Sequence, residues 1–228
     1  ALKMLTSEAA QQPGVASALR REVESMAKLH HPSIAAVLDT GVVDEQLELA
    51  SGTVLAGTPW IAMEFVGGKP LSSYYGQLSW PVFQRFLYDL LDALAYAHAQ
   101  GIVHRDIKPD NILVLRDGAR YLPKLVDFGI ARALDEPDED ADKPTADRKV
   151  TGTPKYMAPE QILGRWRDQG PATDLYSLGC VAWRFVTGRA PFKADSTIET
   201  LERHLNDALP RFVPSMQVPE GLEDWLES

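Results

Sequence analysis

A short polar stretch between two apolar segments constrains this chain more than any other feature. It reads I-V-H-R-D-I-K-P-D-N-I over residues 102–112. Between the apolar pair that opens it and the apolar run over residues 112–115, eight positions carry two acids, two bases, a histidine and an asparagine. A loop with so many polar groups, anchored at both ends in a core, is typical of a functional site on a rigid scaffold.

Three side chains of this stretch suit the transfer of a phosphoryl group. Asp106 can accept a proton from a hydroxyl, and Lys108 can neutralise the charge of a phosphate in transfer. Asn111 can offer an amide oxygen to Mg²⁺, which prefers oxygen ligands. The stretch therefore predicts a phosphotransfer site.

Three motifs in the chain resemble those of the eukaryotic-type protein kinases. H-R-D-I-K-P-D-N over residues 104–111 resembles the catalytic loop, and its lysine two places after the aspartate resembles the Ser/Thr branch. D-F-G at 127–129 resembles the metal-binding motif, and A-P-E at 158–160 resembles the end of the activation segment. Phrases such as H-P-S-I at 31–34 look similar to bacterial Ser/Thr kinases.

The resemblance implies an α+β fold with two lobes. We expect a small β-rich N-lobe over residues 1–66 and a larger helical C-lobe over residues 67–228. The family's Gly-rich loop should precede Lys3, yet no G-x-G-x-x-G occurs in the chain. The family's last helices are also missing, so we expect a domain truncated at both ends.

The resemblance places Lys3 on a strand, where it would hold the α- and β-phosphates of ATP. Residues 18–29 are predicted to form a helix, and Glu22 falls on its apolar face between Leu19 and Met26. A carboxylate on that face costs free energy unless it is paired. An ion pair between Lys3 and Glu22 would explain both residues.

The predicted adenine pocket lies on the strand over residues 60–66. By resemblance, Met63 would close the back of the pocket, and the backbones of Glu64 and Val66 would bond adenine. A plain buried strand explains the same residues, because only backbone groups would contact the base.

Residues 44–58 are predicted to form an exposed insertion. A long amphipathic helix is predicted to begin after Ser79 as its N-cap and to lead into the catalytic loop. On this helix His98 is predicted to be a packing or surface residue, and by resemblance His104 braces the catalytic loop.

A predicted hairpin follows the catalytic loop, with Asp-Gly in its turn at 117–118. It ends at Asp127 and so brings that carboxylate close to Asn111. Together with phosphate oxygens, these two ligands suit Mg²⁺, which binds few protein groups and keeps waters, and Mn²⁺ is an alternative metal. ATP and Mg²⁺ are thus the expected cofactors.

The activation segment would run from Asp127 to Glu160, and its middle, residues 135–142, is acidic. Thr145 and Thr151 are candidate phosphorylation sites. We expect phospho-Thr145 to dock near Arg105, since guanidinium groups bind phosphate well. Two alternatives are that the acidic run replaces a phosphate or is only a solvated spacer.

Thr153 would belong to the platform that receives the substrate peptide and would bond Asp106 and Lys108. Asp174 starts a predicted helix over residues 174–187, where it could serve as the N-cap. The family resemblance implies that Asp174 also holds the backbone of the catalytic loop.

Composition limits the partners. The net charge of −9 disfavours nucleic-acid binding and is compatible with basic protein substrates. The single cysteine, Cys180, fits a reducing compartment, and we expect a cytoplasmic protein. No run reaches the roughly 20 apolar residues that span a bilayer.

The predicted reaction is transfer of the ATP γ-phosphoryl to Ser or Thr hydroxyls of proteins. A pseudokinase that serves as a scaffold is the first alternative, and the missing Gly-rich loop favours it. A small-molecule phosphotransferase of kinase-like fold is the second, but the segment over residues 151–160 resembles a peptide platform. Substrate identity, activating signal and oligomeric state are left open by the sequence.

Overall fold

The computed structural model describes residues 1–4, 23, 26–49, 52–118, 120–128 and 153–227. The predicted roles of Glu22, Thr145 and Thr151 concern residues outside these ranges. Within them, a sheet-rich part comes first and a helical part follows, as expected for an α+β fold. The predicted lobe boundary after Val66 stays a prediction.

The first sheet has three strands: β1 (Leu2–Met4), β2 (Val37–Val42) and β5 (Pro59–Met63). Strands β1 and β2 both pair antiparallel with β5, which lies between them. Lys3 lies opposite Ile61 in this register. Because Ile61 is buried in the central strand, the sheet places Lys3 at a defined point beside the core.

The segment over residues 44–58, predicted as an exposed insertion, contains a small hairpin. Strands β3 (Leu47–Leu49) and β4 (Gly52–Val54) pair antiparallel as a two-stranded sheet. Leu47 and Leu49 are exposed. Much of the described part of the segment is therefore exposed, although Thr58 at its end is buried and part of the segment is regular β-structure.

The first long helix, α1 (Trp80–Ala99), begins where the sequence predicts. Ser79 is at the N-cap position, and its carbonyl accepts the Phe83 N–H at 3.0 Å. One face of the helix is buried and consists of Phe83, Phe86, Leu87, Leu90, Ala93, Leu94 and Ala97. This spacing of three and four residues matches an amphipathic helix, and the helix leads directly into the catalytic loop.

A second hairpin follows the catalytic loop as predicted. Strands β7 (Ile112–Asp117) and β8 (Arg120–Leu125) pair in a continuous antiparallel register, with β6 (Lys69–Pro70) on the other side of β7. Leu125 also forms a parallel bridge with Ile34. The backbone of residues 33–35 is thereby fixed against the strand that leads to Asp127.

The helical part contains α2 (Pro159–Ile162), α3 (Pro171–Thr187), α4 (Thr197–Asn206) and α5 (Leu222–Glu227). Helix α3 is central, because ten of its residues are buried. It begins at Pro171 with Gly170 as the N-cap, so the prediction of Asp174 as an N-cap was wrong. No helix of the described ranges is long and apolar enough to cross a membrane.

Candidate active site

The buried carboxylate of Asp174 binds the backbone of the catalytic loop. Asp174 accepts the His104 backbone N–H on Oδ2 and the Arg105 backbone N–H on Oδ1, both at 2.8 Å. The prediction that Asp174 holds the loop backbone is confirmed. His98, on α1, lies 2.7 Å from the same carboxylate through Nε2. The sequence analysis predicted only a packing or surface role for His98 and missed this contact.

The residue before Asp106 has a strained backbone. Arg105 has a φ of 63°, which residues other than glycine rarely adopt. Its N–H is bound by Asp174, and its carbonyl accepts Gln161 Nε2 at 2.7 Å. Bonds on both sides of Arg105 therefore hold a conformation that costs on the order of 1 kcal/mol, as occurs at functional sites.

Asp106 is held by two neighbours from its own loop. Lys108 Nζ lies 2.6 Å from Asp106 Oδ2, and Asn111 Nδ2 donates to the same oxygen at 2.8 Å and to the Asp106 carbonyl at 2.9 Å. Within the described ranges, Asp106 Oδ1 has no hydrogen-bond partner. One carboxylate oxygen is thus fixed, and the other can accept a hydroxyl proton.

His104 ties the catalytic loop to the strand before Asp127. Its Nε2 donates to the Val126 carbonyl at 2.9 Å, and its Nδ1 accepts the Asp106 N–H at 3.2 Å. The ring also packs against Phe128, with centroids 4.4 Å apart. Burial lowers the pKa of His104, so the imidazole is neutral and serves as a brace, as predicted.

Lys3 and Asp127 meet across the cleft. Their side chains form an ion pair of 3.0 Å and are 42% and 30% exposed, respectively. Asp127 has a φ of 63°, a second non-glycine residue in the left-handed region. The predicted partner of Lys3, Glu22, lies outside the described residues. An exposed cation beside an exposed carboxylate can receive phosphate groups and a metal ion without further burial of charge.

These motifs and this geometry agree with the comparisons to known proteins. A family model described as "Protein kinase domain" matches residues 1–224. The chain belongs to the protein kinase family. Members of this family use ATP and a divalent metal ion.

Three curated relatives show how much of the chain this similarity covers. Serine/threonine-protein kinase PknA of Mycobacterium tuberculosis is 37% identical over 234 residues, which is 100% of this chain and 49% of the relative. Probable serine/threonine-protein kinase PknB of Bifidobacterium longum is 36% identical over 229 residues (99% and 31%). Serine/threonine-protein kinase PknB of Mycobacterium leprae is 36% identical over 225 residues (97% and 33%). The chain spans half the length of these relatives or less.

The residues at the cleft fit a nucleotide and a metal ion. The Asn111 amide nitrogen is used by Asp106, whereas its amide oxygen has no partner among the residues that the structure describes. Among the residues that the structure describes, Lys3 is the ion-pair partner of the Asp127 carboxylate. An amide oxygen and a carboxylate are ligands that a hard divalent cation accepts.

The backbone of the predicted adenine pocket has groups available for a base. The Glu64 N–H donates to the Ala36 carbonyl at 2.8 Å, so only the Glu64 carbonyl can contact a ligand. Neither that carbonyl nor the Val66 N–H has a partner within the described parts of the chain. Met63 is buried and lines a small apolar recess together with Asp127 and Phe128.

The Glu64 side chain forms an ion pair with Lys124 that the sequence analysis missed. Burial acts to raise the pKa of Glu64, but the Lys124 ammonium and the Ala36 N–H outweigh it, and the net effect lowers the pKa. Because Lys124 lies on β8, this pair links the predicted adenine pocket to the hairpin that leads to Asp127.

The predicted platform residue, Thr153, starts the turn Pro154–Tyr156, and its carbonyl accepts the Tyr156 N–H at 3.0 Å. Among the described residues its hydroxyl bonds neither Asp106 nor Lys108, so that contact stays a prediction. Glu160 of the A-P-E motif accepts the Thr173 hydroxyl.

Proposed function

We propose that this chain is the catalytic domain of a protein Ser/Thr kinase, which transfers the γ-phosphoryl of ATP to Ser or Thr hydroxyls of proteins. The observation that carries the proposal is Asp106, with one oxygen held by Lys108 and Asn111 and the other without a partner in the described parts of the chain. The names of the relatives, all serine/threonine-protein kinases, support the same activity.

Each polar group of the cleft has a role in this reaction. Asp106 Oδ1 accepts the proton of the substrate hydroxyl and orients that hydroxyl toward the phosphate. Lys108 and Lys3 stabilise the phosphate charge. Asn111 and Asp127 would hold Mg²⁺, or Mn²⁺ in its place, and the bound metal would neutralise phosphate charge. Catalysis of this kind depends on positioning and electrostatics.

Adenine binds against the buried strand β5. The Glu64 carbonyl accepts from the base and the Val66 N–H donates to it, while Met63 forms the apolar back of the pocket. The open backbone groups at Glu64 and Val66 support this arrangement. Glu22 completes the site as the partner that orients Lys3.

Regulation acts through the activation segment. Phosphorylation of Thr145 or Thr151 adds negative charge, and phospho-Thr145 docks near Arg105. Thr145→Ala should reduce the activity of the purified protein severalfold, measured as initial rate on a peptide. An unchanged rate would remove Thr145 from this role.

The substrates are proteins with Ser or Thr acceptors, and the overall charge of −9 favours basic ones through long-range attraction. Thr153 contributes to the surface that receives them. We place the protein in the cytoplasm on the basis of its single cysteine. Peptides of opposite net charge, compared at low and high salt, test the charge preference directly.

The proposed activity is tested by Asp106→Asn, which keeps the size of the side chain but removes its capacity as a base. With Mg²⁺ and ATP, the parent protein should phosphorylate Ser and Thr peptides, and the variant should be slower by about a thousandfold. Intact-mass analysis of peptide and protein measures both transfer and autophosphorylation.

The control is thermal unfolding of both proteins, because Asp106 is partly exposed and its replacement should leave the fold intact. Parent and variant that are both folded and both inactive across Ser, Thr and small-molecule acceptors would contradict the proposed function.

A further inference from the structure

A cationic side chain lies close to the substrate platform without a carboxylate partner. Arg184, on α3, donates from Nη1 to the Tyr156 hydroxyl at 2.7 Å. Its guanidinium also lies over the Tyr75 ring, 4.9 Å from the centroid. Within the described ranges no Asp or Glu pairs with it. A guanidinium has five N–H donors, and these contacts use only part of them.

Tyr75 adds a second unsatisfied group to this cluster. Its hydroxyl is buried and lies close to the Tyr156 side chain, but no described atom meets the geometry of a hydrogen bond with it. Burial raises the pKa of Tyr75, so the phenol keeps its proton and can donate it to an acceptor. A buried hydroxyl without a partner is costly, which favours a ligand atom that accepts from it.

The cluster lies next to the catalytic loop. Tyr156 belongs to the turn that follows Thr153, and its carbonyl accepts the Ser177 hydroxyl at 2.7 Å. Asp110 of the catalytic loop is near enough to influence both Tyr75 and Tyr156 electrostatically. The cluster therefore lies close both to the catalytic loop and to the turn that follows the predicted platform residue Thr153.

Asp110 does not neutralise the cluster. Its carboxylate accepts the Ser72 hydroxyl at 3.2 Å, and it forms no ion pair with Arg184 in the described parts of the chain. Arg184 thus keeps a positive charge in a protein whose net charge is −9. A planar guanidinium with unused donors matches the geometry of a carboxylate.

We propose that Arg184, Tyr75 and Tyr156 form a subsite that binds an acidic side chain of the protein substrate, at one fixed position relative to the phosphorylated Ser or Thr. This inference rests on the proposed kinase activity and adds a rule of specificity to it. Overall charge attracts basic proteins at long range, whereas this subsite selects a carboxylate at a single position. The alternative is that Arg184 only supports the Tyr156 side chain.

A positional peptide scan separates these two roles. Glu, Lys or Ala is placed in turn at each of the three positions before and after the acceptor Ser, and kcat and KM are measured for each peptide. We expect one position at which Glu is preferred over Lys by roughly tenfold in kcat/KM, mainly through KM, because a charge-assisted hydrogen bond contributes that much. A phosphoserine peptide at the same position shows whether a phosphate is accepted as well.

The variant Arg184→Glu should reverse the preference at that same position and leave the other positions unchanged. Arg85→Glu is the matched control, because Arg85 is 72% exposed on α1, pairs with Asp89 at 3.6 Å and changes the net charge equally. It should leave the whole scan unchanged. Tyr75→Phe, which removes only the unpartnered hydroxyl, should weaken the Glu preference severalfold.

Equal use of Glu and Lys peptides by parent and Arg184→Glu would overturn the subsite. If Arg184→Glu does not fold, the same peptide scan is made with Arg184→Gln and Tyr75→Phe. A Glu preference that is unchanged in both variants would overturn the subsite. Parent protein that phosphorylates no peptide at all contradicts the kinase activity instead, so the two failures are distinct.

Discussion

Asp174 and Asp127 both lie close to the catalytic loop, but their surroundings differ. The Asp174 side chain is fully buried and is bound by two backbone N–H groups and by His98. The Asp127 side chain is 30% exposed and has Lys3 as its ion-pair partner. A buried carboxylate must be satisfied by the protein, whereas an exposed one can exchange its partner for a ligand.

Because of this difference, the two aspartates should have different roles. Asp174 holds the backbone just before Asp106, so replacing Asp174 should mainly lower the free energy of unfolding. Asp127 and Lys3 remain open toward the cleft, so their contribution should appear as nucleotide and metal binding.

The largest loss of stability is expected for Asp174→Ala. The change leaves the His104 and Arg105 N–H groups without acceptors in a buried site, which should cost about 3 kcal/mol. Urea unfolding measures this cost, and kcat should fall in parallel because Arg105 is no longer held in its strained conformation.

Asp174→Asn is the matched control, since an amide oxygen can still accept one of the two backbone groups. Its loss should be clearly smaller than that of the alanine variant. Equal stability of all three proteins would show that the buried carboxylate is not what holds the loop.

Lowering the pH should reduce the free energy of unfolding through two buried histidines. Burial lowers the pKa of His104, and it lowers the pKa of His204, on α4, to about 4. In the unfolded chain these histidines take up protons near the ordinary pKa of 6.5. The free energy of unfolding therefore has its full value above pH 6.5 and decreases as the pH falls toward 4. Between about pH 7.5 and pH 5 we expect a loss of about 2 kcal/mol from His204 alone.

Urea unfolding of the parent and of His204→Gln at both pH values measures this contribution. The variant should lose less stability on acidification, because glutamine can bond the Tyr176 hydroxyl, 2.7 Å from His204, without titrating. Identical pH dependence of the two proteins would refute the assignment to His204.

The smallest change in stability is expected at the exposed pair. Lys3→Met should alter the free energy of unfolding by less than about 0.5 kcal/mol, because exposed ion pairs contribute little. It should nevertheless reduce kcat/KM for ATP by roughly a hundredfold, since Lys3 stabilises phosphate charge in the proposed mechanism. Steady-state kinetics with varied ATP, beside urea unfolding, measure both quantities.

Lys3→Arg serves as the control that keeps the charge and changes the shape of the cation. It should lose less activity than the methionine variant. A loss of stability in Lys3→Met as large as that in Asp174→Ala would break the distinction between the two aspartates.

The features that sequence could predict are those encoded within a few neighbouring residues. The apolar spacing along α1 and the Asp-Gly turn between β7 and β8 identified those elements. Asp106, Lys108 and Asn111 span six positions, so their assembly into one cluster follows from a single tight loop. The hairpin over residues 47–54 was not predicted, because its short strands are exposed and carry little apolar pattern.

The features that sequence missed join residues far apart in the chain. His98 and Asp174 are 76 positions apart, and Glu64 and Lys124 are 60 positions apart. Neither pair has a local pattern, because each depends on how a helix or strand packs on another. Only the start of α3 at Pro171, one turn earlier than predicted, shows that Asp174 lies inside its helix rather than at the cap.

The sequence by itself determined the family and the assembly of Asp106, Lys108 and Asn111 in one loop, because both depend on short motifs. The tertiary structure alone decided which partner each charge has: Lys3 with Asp127, Glu64 with Lys124, and Arg184 with two tyrosines and no carboxylate among the described residues. The physical reason is that a charge in a partly buried site takes its partner from whatever packing brings within a few ångströms, regardless of distance along the chain.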